Sequence, residues 1–256
     1  MGIASYLLGW ASAILVGVSK TGLPGVSMPA ILLMTEAFSD DAKLAIGAIL
    51  PVLLVGDVFA VSWYRHHAQW HQLWKLFPYV AVGMLPGVGV LWLAQDNQLR
   101  PVIGVTILVL LMLELVRRRL DLEHIPHQWW FVGLMGLLAG FATTVAHAAF
   151  PVMSIYFISQ GMDKRGFIGT AAWFFLILNL SKVPIYWWIG GMFTSEVSQF
   201  GLMDVLQFDL IVAPVAIVGG LLGVVVLHLI SQRVFDFLAL TFAGIAAVRL
   251  IVVSFM

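Results

Sequence analysis

Eight apolar stretches divide the chain: Ile3–Phe38, Ala42–Tyr64, Leu73–Leu93, Leu99–Val116, Trp129–Ser159, Gly166–Trp188, Phe208–Ile230 and Val234–Val253. A helix needs roughly 20 apolar residues to span a bilayer, and six of the stretches fit one crossing each. The first and fifth are longer and interrupted, by Gly17–Gly25 (GVSKTGLPG) and Gly140–Pro151 (GFATTVAHAAFP). Ile3–Val16 gives about 21 Å of helix at 1.5 Å per residue, short of the roughly 30 Å hydrocarbon core. The pattern predicts two half-helices meeting at an irregular stretch in each of these two segments.

The pattern also repeats. At a spacing of 122 residues Thr21 meets Thr143, Pro29 meets Pro151, Ile46-Gly47 meets Ile168-Gly169, Asp57 meets Asn179 and Tyr64 meets Tyr186. At a spacing of 136, Val82-Gly83 meets Val218-Gly219 and Gly87-Val88 meets Gly223-Val224. This predicts two membrane repeats, residues 1–116 and 128–256, joined by a polar cytoplasmic linker at 117–127. The overall expectation is an all-α integral membrane protein of eight apolar segments in two four-segment repeats.

Charge decides how segments one and five are threaded, because short cytoplasmic loops carry excess Lys and Arg. If all eight segments cross, the loop cations split five against five and no orientation emerges. If segments one and five are re-entrant hairpins, Arg65, Lys75, Arg117, Arg118, Arg119, Lys164, Arg165 and Arg233 fall on one side, and Lys43 and Arg100 on the other. That bias favours six crossings plus two hairpins, inverted repeats and both termini outside. No basic residue precedes Lys20, so the first segment is expected to stay in the mature protein instead of leaving as a signal peptide.

Composition strengthens the membrane reading. Hydrophobic residues make up 61% and charged residues 10% of the chain, too few charges to cover a soluble domain of this size. The cations are scattered between apolar runs, which excludes a nucleic-acid face. There is no cysteine, hence no thiolate chemistry. His66, His67 and His71 read as a solvated interfacial face, so neither a metal nor another cofactor is called for. Trp63, Trp70, Trp129, Trp130, Trp187 and Trp188 flank crossings as interfacial belts. Gly83 with Gly87, Gly136 with Gly140, and Gly219 with Gly223 read as helix-packing faces.

Charged residues at bilayer depth are functional candidates. Lys20 sits in the first interruption beside Ser19, Thr21 and Gly22, ahead of a second half-helix whose N-terminus favours anions. Thr143, Thr144 and His147 occupy the second interruption. Asp57, which could pair with Lys20, bind a coupling proton or form a structural hydrogen bond, and its repeat partner Asn179 lie in corresponding helices, with Lys182 a turn beyond Asn179. Snorkelling to a surface is the alternative for both lysines. The reading is a transporter in which Lys20 neutralises a small anion, the hydroxyls donate to it, and Asp57 or His147 carries a coupling proton. A membrane-embedded enzyme built on His147 is the competing class, thin because no second His or carboxylate is near it in sequence.

Two strings then carry a family resemblance. Gly140–Pro151, followed by Tyr156, and Phe167–Phe175, continuing to Asn179-Leu180-Ser181-Lys182-Val183-Pro184, resemble the second-half signature of the sulfite exporter TauE/SafE family. Val18–Gly25 is similar to one branch of it. The resemblance implies a multi-pass protein of the inner cell membrane that exports sulfite or small organosulfonates such as sulfoacetate. His147 stands where the pattern leads one to expect Asn, and Phe150 where it leads one to expect Gly, so the pocket would be reshaped. Exact substrate, direction, coupling ion and oligomeric state, a homodimer included, are left open.

Overall fold

The computed structural model describes residues 2–21, 26–38, 41–119, 128–189 and 201–229, with isolated positions between 241 and 252. The described residues form helices and no strand: α1 Ile3–Thr21, α2 Ser27–Ala37, α3 Ala42–Tyr64, α4 Trp70–Leu93, α5 Asp96–Arg119, α6 Trp129–Ala146, α7 Phe150–Ser159, α8 Lys164–Ile189, α9 Leu202–Val212 and α10 Val215–Leu229. A chain in lipid must pair its backbone polar groups internally, which leaves helices as the natural solution. Seven stretches among the described residues are long and apolar enough to cross a membrane. The protein is a multi-pass membrane protein. Most of the linker (120–127) and of the eighth apolar stretch lies outside the described residues.

One expectation is corrected. The first half-helix does not stop at Val16; α1 continues through Gly17 to Thr21, so that α1 and α6 are themselves long enough to be candidate spans. The reason is packing. A Cβ on Gly17 would strike the backbone of Ala216, Gly219 and Gly220, and one on Gly140 would strike Val80, Gly83 and Met84. These glycines permit close helix approach and do not break the helix. α2 starts at Ser27, with 22–25 outside the described residues, and only 147–149 separate α6 from α7.

The C-terminal ends of α1 and α6 make like contacts. Thr21 Oγ1 donates to Gly17 O or Gly220 O, and Thr144 Oγ1 donates to Gly140 O. Tyr64 Oη donates to Thr21 O and Tyr186 Oη to Thr144 O.

The helix pairs cross between the two halves of the chain. α1 packs on α10 and α6 packs on α4. Gly219 meets Ile14 and Gly223 meets Val18 and Thr21; Gly83 meets Leu137 and Gly87 meets Phe141 and Thr144. Contacts advance together along both members, so each pair runs parallel. α3 and α8 run antiparallel: Gly169 near the start of α8 lies against Tyr64 at the end of α3, and Asp57 meets Asn179 farther along. The outer faces stay apolar, with Trp92, Leu93, Trp129 and Trp188 each at least 70% exposed, as a lipid-facing surface requires. The six belt tryptophans are all exposed and sit at helix ends.

Candidate functional site

Where α3 and α8 cross, Asn179 Nδ2 donates to Asp57 Oδ2 at 2.6 Å. Lys20, in the last turn of α1, brings its ammonium to 2.6 Å from Asp57 Oδ1. That ammonium also lies 4.4 Å above the Phe175 ring, where the ring's negative face attracts it. On the other side of the crossing, Lys182 Nζ is 3.0 Å from Asn179 Oδ1, 2.7 Å from both Thr143 O and Thr143 Oγ1, and 3.0 Å from His147 Nδ1. One chain of contacts thus joins Lys20, Asp57, Asn179, Lys182, Thr143 and His147 across four helices, α1, α3, α6 and α8, and the break after α6. Asp57 and Lys182 are wholly buried. Charges at such depth persist only when paired or hydrogen-bonded.

His147 caps α6 with φ 48°, the one non-glycine residue of positive φ among the described residues. That conformation costs a β-carbon-bearing residue roughly 1–2 kcal/mol. It is held because the ring is tied at both nitrogens: Nε2 is 3.1 Å from Ile46 O, and Nδ1 faces Lys182. Tyr186 Oη lies 3.5 Å from Nε2 and closes the ring's edge. Backbone strain sustained by a fixed polar network is a mark of functional positions.

A cavity opens beside this chain. It is lined by Ser19, Lys20, Ser27, Thr143, His147 and Asn179 on one side, and on the other by Leu53, Phe150, Phe167, Phe175 and their small neighbours. Its volume, measured to the centres of water-sized spheres, is about 40 Å³; one water needs roughly 10–15 Å³, so a few waters or one small anion fit. Ser27 opens α2 and Phe150 opens α7, and no side chain caps either helix. Two helix N-termini, with the partial positive charge of their free N–H groups, therefore meet the cavity.

Of the residues singled out by sequence, Ser19, Lys20, Thr143, His147 and Asn179 line the cavity. Asp57 lies behind Lys20, and Lys182 behind Thr143, His147 and Asn179. The Thr21 hydroxyl donates within the fold, to Gly17 O or Gly220 O, and the Thr144 hydroxyl to Gly140 O. Both serve helix packing. Gly22 lies outside the described residues. Sequence reading missed Ser27, Phe175 and Tyr186. Ser27 is one residue into the second half-helix and was legible as its N-terminus. Phe175 and Tyr186 carry no signal that separates them from ordinary apolar positions. Among the described residues no group of three or more His, Asp or Glu could hold a metal.

The cavity, with Lys20 in its wall, lies at the ends of α1, α2, α6 and α7 of a multi-pass protein, and the family profile described as "Sulfite exporter TauE/SafE" matches residues 5–250. The chain belongs to the sulfite exporter TauE/SafE family. Nearly its whole length takes part in the match, both helix breaks included, and a TauE/SafE chain is a membrane transporter. No curated protein and no solved structure matches it.

Proposed function

We propose that this protein moves sulfite or a small organosulfonate such as sulfoacetate out of the cell across the inner membrane, by alternating access. The observation that carries the reading is the cavity: Lys20, Ser19, Ser27, Thr143, His147 and Asn179 converge on it at the tips of two interrupted helices. Lys20 offers the counter-charge, the hydroxyls and the Asn179 amide offer hydrogen bonds, and the uncapped starts of α2 and α7 favour negative charge. The aromatic wall of Phe150, Phe167 and Phe175 suits a short carbon body attached to the anionic head.

The paired helices support an inverted arrangement of two repeats. α3 and its counterpart α8 run antiparallel, as related helices do about an axis in the membrane plane. α6 starts level with the beginning of α4, and α8 starts at that same end, so α6 and α7 go out and back as a re-entrant hairpin. α1 and α2 do the same from the opposite face. The two tips would overlap at the α3–α8 crossing, and rocking of one repeat against the other would expose the cavity alternately. The test is uptake of radiolabelled sulfite, sulfoacetate and methanesulfonate into liposomes holding the purified protein. Saturable uptake of at least one, inhibited by the others, is expected; empty-liposome rates for all three would overturn the reading.

A further inference from the structure

We infer that the resting site holds one positive charge without a counter-anion, so that it takes a monovalent anion and carries it with no accompanying proton; this rests on the transport reading above. The argument is a count of charges fixed by hydrogen-bond directions. Both Asp57 oxygens face groups that can only donate, Lys20 Nζ and Asn179 Nδ2, each at 2.6 Å. A carboxylic proton would have no acceptor there, and Asp57 is a carboxylate. With its nitrogen on Asp57, the Asn179 amide must turn its oxygen to Lys182. Ile46 O can only accept, so His147 Nε2 carries a hydrogen and the neutral ring's Nδ1 is an acceptor.

Lys182 Nζ therefore meets three acceptors that bear no hydrogen: Thr143 O, Asn179 Oδ1 and His147 Nδ1. These match the three hydrogens of an ammonium, and an amine would leave one of them unmet. Moving the proton onto the His147 ring would leave the charge of the pair unchanged. Lys20 and Asp57 cancel, while Lys182 is held by neutral groups alone. Among the described residues no other carboxylate lies within ion-pair distance of either lysine. The carboxylates on the other helices packed against α3 include Glu36, Glu114 and Asp209.

The surplus charge sits directly behind three cavity-lining residues. A net charge in a poorly solvated interior is costly. One monovalent anion cancels it; a dianion would replace it with a net negative charge of the same size, so within the reading above hydrogen sulfite and monosulfonates are the preferred cargo and fully ionised sulfoacetate, a dianion, is disfavoured. A transported proton on Asp57 would have to displace the Lys20 ion pair at Oδ1 or the Asn179 hydrogen bond at Oδ2, and both His147 nitrogens are engaged. The loaded site is then neutral and the empty site positive. An inside-negative membrane potential acts on the empty site, favouring its return toward the cytoplasm and so net outward movement of the anion.

The experiment uses the wild-type protein in liposomes with the potential set by potassium and valinomycin. The probes are labelled methanesulfonate, a monoanion of a strong acid that carries no proton itself, and sulfate, a dianion. Net methanesulfonate uptake should rise severalfold when the lumen is made positive. Exchange of labelled for unlabelled methanesulfonate, in which the site stays loaded, should ignore the potential, and a trapped dye should report no change of lumen pH. Sulfate should move at least about tenfold more slowly, in keeping with the loss of one charge-assisted contact. Net uptake indifferent to potential, with one proton entering per anion, would overturn the inference, as would exchange that responds to potential. Lys182→Met should make exchange respond to potential and weaken methanesulfonate binding roughly 10- to 150-fold. Should that variant fail to fold, the wild-type comparison of exchange with net uptake decides alone. Absence of flux for every probe would overturn the transport reading itself.

Discussion

The ring of His147 does two jobs whose energies can be separated. It holds a left-handed backbone position, and it accepts from Lys182 while donating to Ile46 O. His147→Ala removes the ring and keeps a strain that both residues bear, so it should destabilise by about 1–3 kcal/mol, the cost of leaving a buried Lys182 donor unmet. His147→Asn should cost less, because Asn tolerates positive φ. Thermal unfolding in detergent measures both; equal losses would show that the backbone conformation is immaterial. The sequence offered pairing with Lys20 as one of three uses of Asp57 and could not choose among them; the structure pairs the two. Thirty-seven positions of chain separate them, and only the packing of α1 on α3 joins them. Lys182 was ambiguous between burial and snorkelling for the same reason: Pro184 nearby looked like an outer end, yet α8 continues to Ile189 around a fully buried lysine.

At the level of helices, glycine spacing determines which elements touch. Gly17 and Gly140 meet neighbouring backbone, whereas Gly89 on α4 has open space where a Cβ would stand. Gly17→Ala and Gly140→Ala should each destabilise by about 1–3 kcal/mol through overpacking, with loss of monodispersity in detergent. Gly89→Ala should be neutral or slightly stabilising, since alanine is the better helix former. Equal behaviour of all three would contradict the parallel pairing of α1 with α10 and of α6 with α4. The sequence showed these glycines but could not say whether they break a helix or admit a partner. Both uses need a missing Cβ, and only the neighbour's position distinguishes them. The break after α6 was legible because Pro151 follows it, and its extent was overestimated because small residues tolerate helix and loop alike.

For the molecule as a whole, each half lends a helix pair to the other. Residues 1–119 alone would leave the inner faces of α1 and α4 without α10 and α6. Expressed separately, the two halves should aggregate or be degraded; co-expressed, they should assemble and recover transport, and stable isolated halves would contradict the exchanged pairing. The count of loop cations further predicts that the C-terminus faces away from the cytoplasm while the 117–127 linker faces into it, which reporter fusions at Met256 and Leu120 would check. The central claim is that Lys20, held at rest by Asp57, touches the bound anion directly, while Lys182 behind the cavity wall supplies the net positive charge. Lys20→Ala alone would strand a buried carboxylate and endanger folding, so the decisive comparison pairs it with Asp57→Asn. Methanesulfonate binding to purified protein by calorimetry should be at least as tight in Asp57→Asn as in wild type, because Lys20 loses its internal competitor. In the double variant it should fall roughly 10- to 150-fold while the thermal transition is retained. Wild-type affinity in a folded double variant would contradict the account.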